Sequence, residues 1–541
     1  MASGILGIAV TGLNAAQAGI TTTQHNIANV NTAGYRRQEV DFTPNPAQYT
    51  GNGYFGTGVG VDTVRSVYSQ FLDNEVLQDQ SQLSLYQTYA DQATQIDKML
   101  GDSGSGLSTA LDGYFAAVNE VGNDPTSNAA RQNLLSAGSN LAGRINTLDS
   151  KLRDMRASSN ADIATITDRV NTLAKQIAGL NDSIAKDEAM NGRPANDLRD
   201  QRDQLVSDLN KLVNVSQLQQ SDGSLNVYIG SGQPLVVGNK AYAMSTVADP
   251  NDPSLSLPAL NVGGSSVTLS SSSITGGQLG GILAQREQVL TPALDDLNRI
   301  AMTLASSVNA IHRSGLDYNL NAGTDFFTNP VVPQGSTVGE LNMTVTNDLS
   351  LDRVGYQIDA TAGGGYNVTL LSTGVTTSYA SLAAVNAAGL GFSLAAGTPA
   401  PSAGESWIIG DYARQMRMAL TATSQVAAAG ATASGPGDNS NALALADLRT
   451  GKLLNNGTVS FSQAYDQTVS RTASLASNAD LSRAAFSSLV DQATTSQQGV
   501  SGVNLDEEAV NLLRFQQAYQ ASAKAIQVAS SLFSDLLGVL S

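Results

Sequence analysis

An apolar residue recurs every seven positions at both ends of this chain, and no other feature restricts its fold so strongly. Near the N-terminus the series is Leu6, Leu13, Ile20 and Ile27, with Ala9, Ala16 and Val30 three places on. Near the C-terminus it is Leu505, Leu512, Tyr519, Ile526, Phe533 and Leu540, with Ala509, Ala523 and Leu537 four places on. Such a repeat lays a narrow seam along one side of an α-helix, and that seam needs another helix to cover it. The two series are therefore expected to pair with each other. No Asp, Glu, Lys or Arg precedes Arg36, so the first helix lacks a charged outer face. This points to a subunit completed by its neighbours.

A chain of 541 residues is expected to hold several domains. Aromatics are only 5% of it, with Trp407 the single tryptophan, so thin Ala- and Leu-packed helices and small sheets are expected rather than large aromatic pockets. The net charge is −17 and no basic run could neutralise phosphates, which argues against nucleic acid and against an anionic membrane surface. The absence of Cys excludes disulfides and thiol chemistry and suits a chain that stays unfolded in transit. His25 and His312 are the only histidines; each is read as a surface or packing residue, and no metal or cofactor is expected. The first twenty residues are apolar-rich but carry no basic leader, and Thr11, Asn14 and Gln17 interrupt them. They read as neither a signal peptide nor a membrane span, so export would proceed without cleavage.

Periodicity predicts a first helix over 3–30 and extended or irregular chain over 36–67. Helices are predicted from Leu72 to Leu100 and from Leu107 to Val121. A long one over 128–186 carries a Ser/Asn-rich gap, and a shorter one holds Leu198 to Leu212. Leu225, Val227 and Ile229 alternate, which marks a small β-rich module over 215–275; helix returns at 278–313. A second β-rich stretch spans 330–412, residues 428–440 read as loop, and helices over 461–476 and 480–498 precede the last one. The expected fold is mainly α with inserted β modules (α+β). It would be rod-like, with paired terminal coiled-coil helices, a long antiparallel bundle and one or two small β-rich domains at the distal end. The expected division is 1–65 with 503–541 as the terminal core, 66–214, 276–329 and 413–502 as the bundle, and 215–275 and 330–412 as the β modules.

Catalytic chemistry finds no foothold. Gly56-Thr-Gly58-Val-Gly60 lacks the Lys-Ser/Thr and following helix of a phosphate loop and reads as a turn. Asp506-Glu507-Glu508 could pass for paired catalytic acids, but Asn504 three residues before Glu507 reads as a capping box at a helix start. Thr21-Thr22-Thr23 has no base that could activate it. No catalytic residue is assigned.

Two motifs carry a resemblance. Asn26-Ile-Ala-Asn29-Val-Asn-Thr-Ala-Gly34-Tyr35-Arg36 resembles the N-terminal motif of the bacterial flagellar axial proteins, the rod, hook and hook-associated subunits. Residues 501–524, with Arg514-Phe515-Gln516-Gln517-Ala-Tyr519-Gln-Ala-Ser-Ala-Lys524, resemble the C-terminal motif of the same family, in the form of its hook-associated junction subunits. Gly435 to Leu443 and Asp325-Phe-Phe327 are similar to internal motifs of those subunits. The resemblance implies type III export and a cytoplasmic chaperone on the C-terminal helix. It also implies self-assembly in the axial tube at the extracellular hook tip, with the hook subunit below and a second junction protein (hook-associated protein 3) above. A different class, a secreted coiled-coil adhesin or translocator with carbohydrate- or receptor-binding β modules, would need an anchor or leader that the sequence does not display.

Overall fold

The structure is a computed structural model that describes residues 2–540 apart from 50, 52, 103–105 and 336–337, with no side-chain description for 2–3 and 536–540. Its helices are α1 Ala2–Asn29, α2 Gln70–Leu100, α3 Leu107–Asn123, α4 Asn128–Asn191, α5 Asn196–Leu212, α6 Gly277–Gln285 and α7 Thr291–Ser314. They continue with the short α8 Leu382–Asn386 and α9 Tyr412–Gln415, then α10 Ser440–Asp447, α11 Phe461–Ser501 and α12 Leu505–Leu540. A π-helical turn, Arg286–Leu290, joins α6 to α7.

The long helix expected over 128–186 is present and runs through its Ser/Asn-rich stretch: α4 is unbroken for 64 residues, about 95 Å at 1.5 Å per residue. Ser and Asn weaken helices when their side chains compete for nearby backbone. Asn160 instead reaches outward, donating to Ser254 O and accepting from Ser256 N–H at 2.9 and 3.0 Å. The two helices expected at 461–476 and 480–498 are instead one, α11. Its start is capped reciprocally: Ser460 Oγ accepts the Gln463 N–H, and Gln463 Oε1 accepts the Ser460 N–H. Helix α10 begins at Ser440, where a Gly/Ser-rich loop was expected to end.

Strands β1 Gln38–Pro44 and β4 Val59–Ser66 pair antiparallel beside α1, with a two-residue ribbon, β2 Gln48–Tyr49 and β3 Tyr54–Phe55, between them. The first β module holds a four-stranded sheet of β5 Val215–Gln219, β6 Leu225–Ile229, β7 Gln233–Val237 and β8 Lys240–Ala241. It also holds a three-stranded sheet of β9 Met244–Ala248, β10 Ser256–Val262 and β11 Ser265–Thr268. The second contains β12 Val331–Pro333, β13 Leu341–Val345, β14 Tyr356–Ala360, β15 Tyr366–Leu370, β16 Thr376–Tyr379, β17 Phe392–Ala396 and β18 Ser406–Ile409. Its main sheet runs β12-β18-β14-β15-β16, and β13 pairs β17. Alternation read from sequence is alternation of burial: Tyr356, Ile358 and Ala360 face inward, as do Tyr366 and Val368, with Ile358 opposite Val368. Trp407 on β18 is fully buried and donates its indole N–H to Gly339 O at 2.9 Å.

Buried apolar residues form two separate cores. The first joins α2, α3, α4 as far as Leu152, α7, α10, the start of α11 and the second β module. The second joins α4 from Ile163, α5, α6 and the first β module. The first β module is therefore not a distal knob: Gln217, Gln219 and Leu225 line the same cleft as Arg36 and Glu507, at the root of the terminal helices.

His312 is a packing residue. It is fully buried; its Nδ1 faces Thr324 O and its Nε2 accepts the Ala427 N–H at 2.9 Å, which fixes the neutral ring. Burial pushes its pKa down to about 4 from the usual 6.5. Below pH 6.5 the unfolded chain takes up a proton that the folded chain refuses. This contribution is thus intact above pH 6.5 and is lost as pH falls toward 4, on the order of 3 kcal/mol in all. Urea unfolding of the protein and of His312→Gln at pH 7 and pH 4.5 checks this. The variant, unable to titrate there, is expected to lose less stability between the two.

Candidate assembly interface

Helices α1 and α12 pack antiparallel, and most of the residues that make their contact are small. On α1 they are Ala9, Gly12, Ala16, Gly19, Thr23 and Asn26, three and four apart; on α12 they are Glu508, Phe515, Ser522 and Ala529, every seven. Phe515 lies on Gly19 so closely that a Cβ there would stand 2.6 Å from its ring, and Gly12 faces Ser522. Phe42 of β1 covers the other side of Phe515, ring centroids 6.1 Å apart.

This corrects the seam expected from the large apolar series. Leu13, Ile20, Ile27, Leu512 and Ile526 are only half-buried, Leu6, Leu505, Tyr519 and Phe533 are exposed, and the Leu540 and Leu537 side chains lie outside the described residues. Small residues let two backbones approach closely, and the bulky ones are then pushed to the flanks. Ile5, Ile8 and Val10 on α1, and Val510, Leu513, Val528 and Leu532 on α12, are also at least 41% exposed. So much contiguous apolar surface marks an interaction face. Gly4–Asn29 is long and apolar enough to cross a membrane by length and composition alone; here its small-residue side is occupied by α12.

The helix pair is rooted through its motif residues. Asn26 is 1% exposed and satisfies both sides of its amide. Its Nδ2 donates to Gln38 O and Glu508 Oε2 at 2.9 and 3.1 Å, and its Oδ1 accepts from Gln38 N–H and Tyr35 O–H at 3.0 and 2.7 Å. One side chain thereby joins the end of α1, strand β1 and the start of α12. Asn29 donates to His25 O at 3.0 Å and accepts from Thr32 O–H, closing the helix end. Gly34 takes φ +77°, with the Gln204 side chain 2.8 Å from where a Cβ would sit, so only glycine turns the chain here at little cost. Tyr35 O–H also meets His25 Nδ1 at 3.1 Å. Burial, followed by Asp197 and Asp200, holds its pKa above the ordinary tyrosine range.

Sequence reasoning missed what comes next. The Arg36 guanidinium reaches Asp73 of α2 and Asp203 of α5 at 2.9 and 2.5 Å, with Asp200 at 3.8 Å, while its backbone N–H donates to Asp200. Burial pushes Asp200 up to about 6 even so. Gln38 donates to Asp197, and Gln497 of α11 donates to Asp73. Asn504 accepts from the Asp506 N–H, but Glu507 turns away to Arg37 at 3.1 Å and Glu508 to Asn26. Asn504 thus caps α12, but the capping box expected with Glu507 is not closed: the acids sit in the first turn of α12, and Glu507 and Glu508 cross-link it to the N-terminal segment. Among Phe515, Gln516, Gln517 and Tyr519 only Phe515 enters the seam, whereas the other three face outward. Gly12 and Gly19, seven apart in an Ala-rich helix, were the legible signal for the true contact side.

Among the described residues no group of three or more His, Cys, Asp or Glu could hold a metal ion, and Gly56 to Gly60 leads into β4 rather than a helix. Fold and site define a structural type of subunit, in which one apolar helix pair made from both chain ends is rooted on a helical body with β modules.

A model of the flagellar hook-associated protein FlgK helical domain matches residues 93–327, and one of the flagellar basal body rod FlgEFG protein C-terminal region matches 497–539. Flagellar hook-associated protein 1 of Escherichia coli K12 is 34% identical over 99% of this chain and all of its own length; that of Salmonella typhimurium LT2 is 32% identical over the same shares. The flagellar hook junction protein FlgK from Burkholderia pseudomallei superposes with a TM-score of 0.63 at 25% identity, covering 79% of this chain and 100% of that structure. The chain belongs to the flagellar hook-associated protein 1 family.

Proposed function

We propose that this chain is the structural subunit that forms the junction between flagellar hook and filament, polymerising through its terminal helices. The observation that carries the assembly mode is the α1/α12 pair, closed inside by small residues and apolar on its flanks. Side by side with copies of itself, such a pair would bury Leu6, Leu13, Ile20 and Ile27 and the α12 series as a coiled-coil tube wall. The subunit would stand as a rod with this pair at the axis, the hook subunit below, hook-associated protein 3 above, and its body adapting one lattice to the other. A cytoplasmic chaperone covering α12 before type III export fits the same exposed residues. The role is mechanical, with no catalysis assigned and no membrane insertion. The adhesin reading is not favoured, since relatives matching along the full length are flagellar hook-associated protein 1.

Deleting 503–541 is expected to leave cells with hooks but no attached filaments; normal filaments would sink the proposal. The small-residue seam buries little, and isolated helix pairs of this kind are marginal. Amide exchange over 2–35 and 505–535 is therefore expected to be fast in the monomer and strongly slowed in the assembled tube. Equal protection in both states would count against assembly through these helices.

A further inference from the structure

The chain is poor in aromatics, yet six of the nine that stand exposed among the described residues lie between 42 and 71. They fall in two groups at opposite ends of the arm that β1 and β4 form. The outer group is Phe42, Tyr49, Tyr54 and Phe55, 42–77% exposed. Across the β2/β3 ribbon Gln48 pairs Phe55 and Tyr49 pairs Tyr54, with the two tyrosine rings 5.3 Å apart. The base of the ribbon is fixed. Asn45 N–H donates to Gly58 O at 3.0 Å and Thr57 O–H to Pro46 O at 2.8 Å. Gly58, at φ +109°, rests on Thr11 of α1, where a side chain would collide. No Asp, Glu, Lys or Arg lies between Asp41 and Asp62. The inner group is Tyr68, Phe71 and, on α11, Val500, 42–75% exposed. Tyr86 on Phe486 and Gln497 on Asp73 set the antiparallel register of α2 and α11, which brings Phe71 level with Val500. Tyr68 gives one ring face to the Arg36 guanidinium at 5.4 Å, and Asp73 is already taken by Arg36 and Gln497.

We propose that these two groups meet between copies: the Tyr49, Tyr54 and Phe55 ribbon of one subunit lies on Tyr68, Phe71 and Val500 of a second copy. Strand β4 alone, 8 residues long, holds the two groups about 23 Å apart, so one chain cannot bring its own ends together. Two different patches on the same chain join head to tail, the arrangement that closes into rings or winds into tubes. The second copy is the occupant because the arm is continuous with the helix pair through which subunits polymerise. Phe42 covers Phe515 of that seam, and Gly58 rests on α1. Both groups are aromatic and neither offers a free charge, so burial strands no ion. With roughly 150–250 Å² per aromatic side chain, the exposed fractions amount to about 700 Å² over both groups. A stable interface buries roughly 1,200 Å² or more. The contact therefore reinforces the terminal-helix packing, on which it rests, and does not by itself pair free subunits.

The chain has no Cys, so Tyr54→Cys/Phe71→Cys places one thiol in each group, at side chains that support no core. A disulfide needs Cα atoms within about 7 Å, which these two positions of one chain never reach. Oxidation of isolated hooks carrying filaments with copper(II) phenanthroline is expected to give a ladder of reducible multimers. Either single variant is expected to stay monomeric. Attached filaments show that the terminal helices have assembled, so filaments without a ladder overturn this contact and leave the assembly reading standing. Dimers from a single variant overturn the head-to-tail pairing, and an equally strong ladder from the free double variant marks random collision and overturns it too. Should the double variant leave hooks bare, Tyr54→Ser/Phe55→Ser decides instead. Loss of attached filaments with unchanged circular dichroism of the free subunit supports the contact, and normal attachment overturns it.

Discussion

Gly19→Leu is expected to leave cells with hooks bare of filaments, although the substitution improves the intrinsic helix propensity of α1. Replacing a mid-helix glycine stabilises a helix by about 0.5–1 kcal/mol where the new side chain has room. At Gly19 there is none, because the Phe515 ring already occupies the Cβ position at 2.6 Å. Leucine must drive α12 away from α1, which parts the Asn26–Glu508 bond one heptad along. Gly113→Leu, at an exposed helical glycine with nothing within 4 Å, is the matched control and is expected to attach filaments normally. Adding Phe515→Ala to Gly19→Leu is expected to restore part of the attachment. Electron microscopy of hooks from the three strains reads this directly, and wild-type filaments on Gly19→Leu cells would show that α1 and α12 need not meet.

Arg36→Met is expected to be the most destabilising single change at the root, by about 3–5 kcal/mol at pH 7.5, because it strands carboxylates that Arg36 now neutralises. Asp73 and Asp200 are at least nine-tenths buried, and Asp203 is three-quarters buried. Asp200 is already pushed up to about 6 with the guanidinium present; without it the carboxyl moves higher. The variant then gains protons in the folded state that the unfolded chain lacks, so its deficit is largest above pH 7 and shrinks as pH falls toward 5. Chemical denaturation of the two proteins at pH 7.5 and 5.5, with Arg36→Met/Asp200→Asn as the partial rescue, checks both sign and size. A deficit that does not vary with pH would mean that packing of the Arg36 stem, not its charge, holds the root.

Much of this architecture was legible because it is local. Apolar spacing located both terminal helices, the bundle helices and α7, and alternation located the strands around Ile358 and Val368, since each depends on which side of one element faces inward. The break placed in α11 failed, since one helix runs through it. The Ser/Asn-rich gap in the apolar pattern of α4 had no local explanation, because Asn160 there spends its amide on chain brought near only by folding. The Asp506-Glu507-Glu508 triplet misled in the same way, as the partners of its last two acids, Arg37 and Asn26, lie more than 460 positions away in sequence.

The seven-residue beat at the two ends needs the finest distinction. By itself the sequence pointed to helices at both ends, each with an apolar seam that needs a partner, and to a first helix without charge. Only the tertiary structure decided which side meets which. The chain closes on its small residues, Ala9, Gly12, Ala16 and Gly19, because close backbone approach lets Phe515 and Asn26 lock the pair. Of the large residues that made the beat visible, Leu13, Ile20, Ile27, Leu512 and Ile526 are half-buried on the flanks, and Leu6, Leu505, Tyr519 and Phe533 stay exposed, where burial can come only from another molecule.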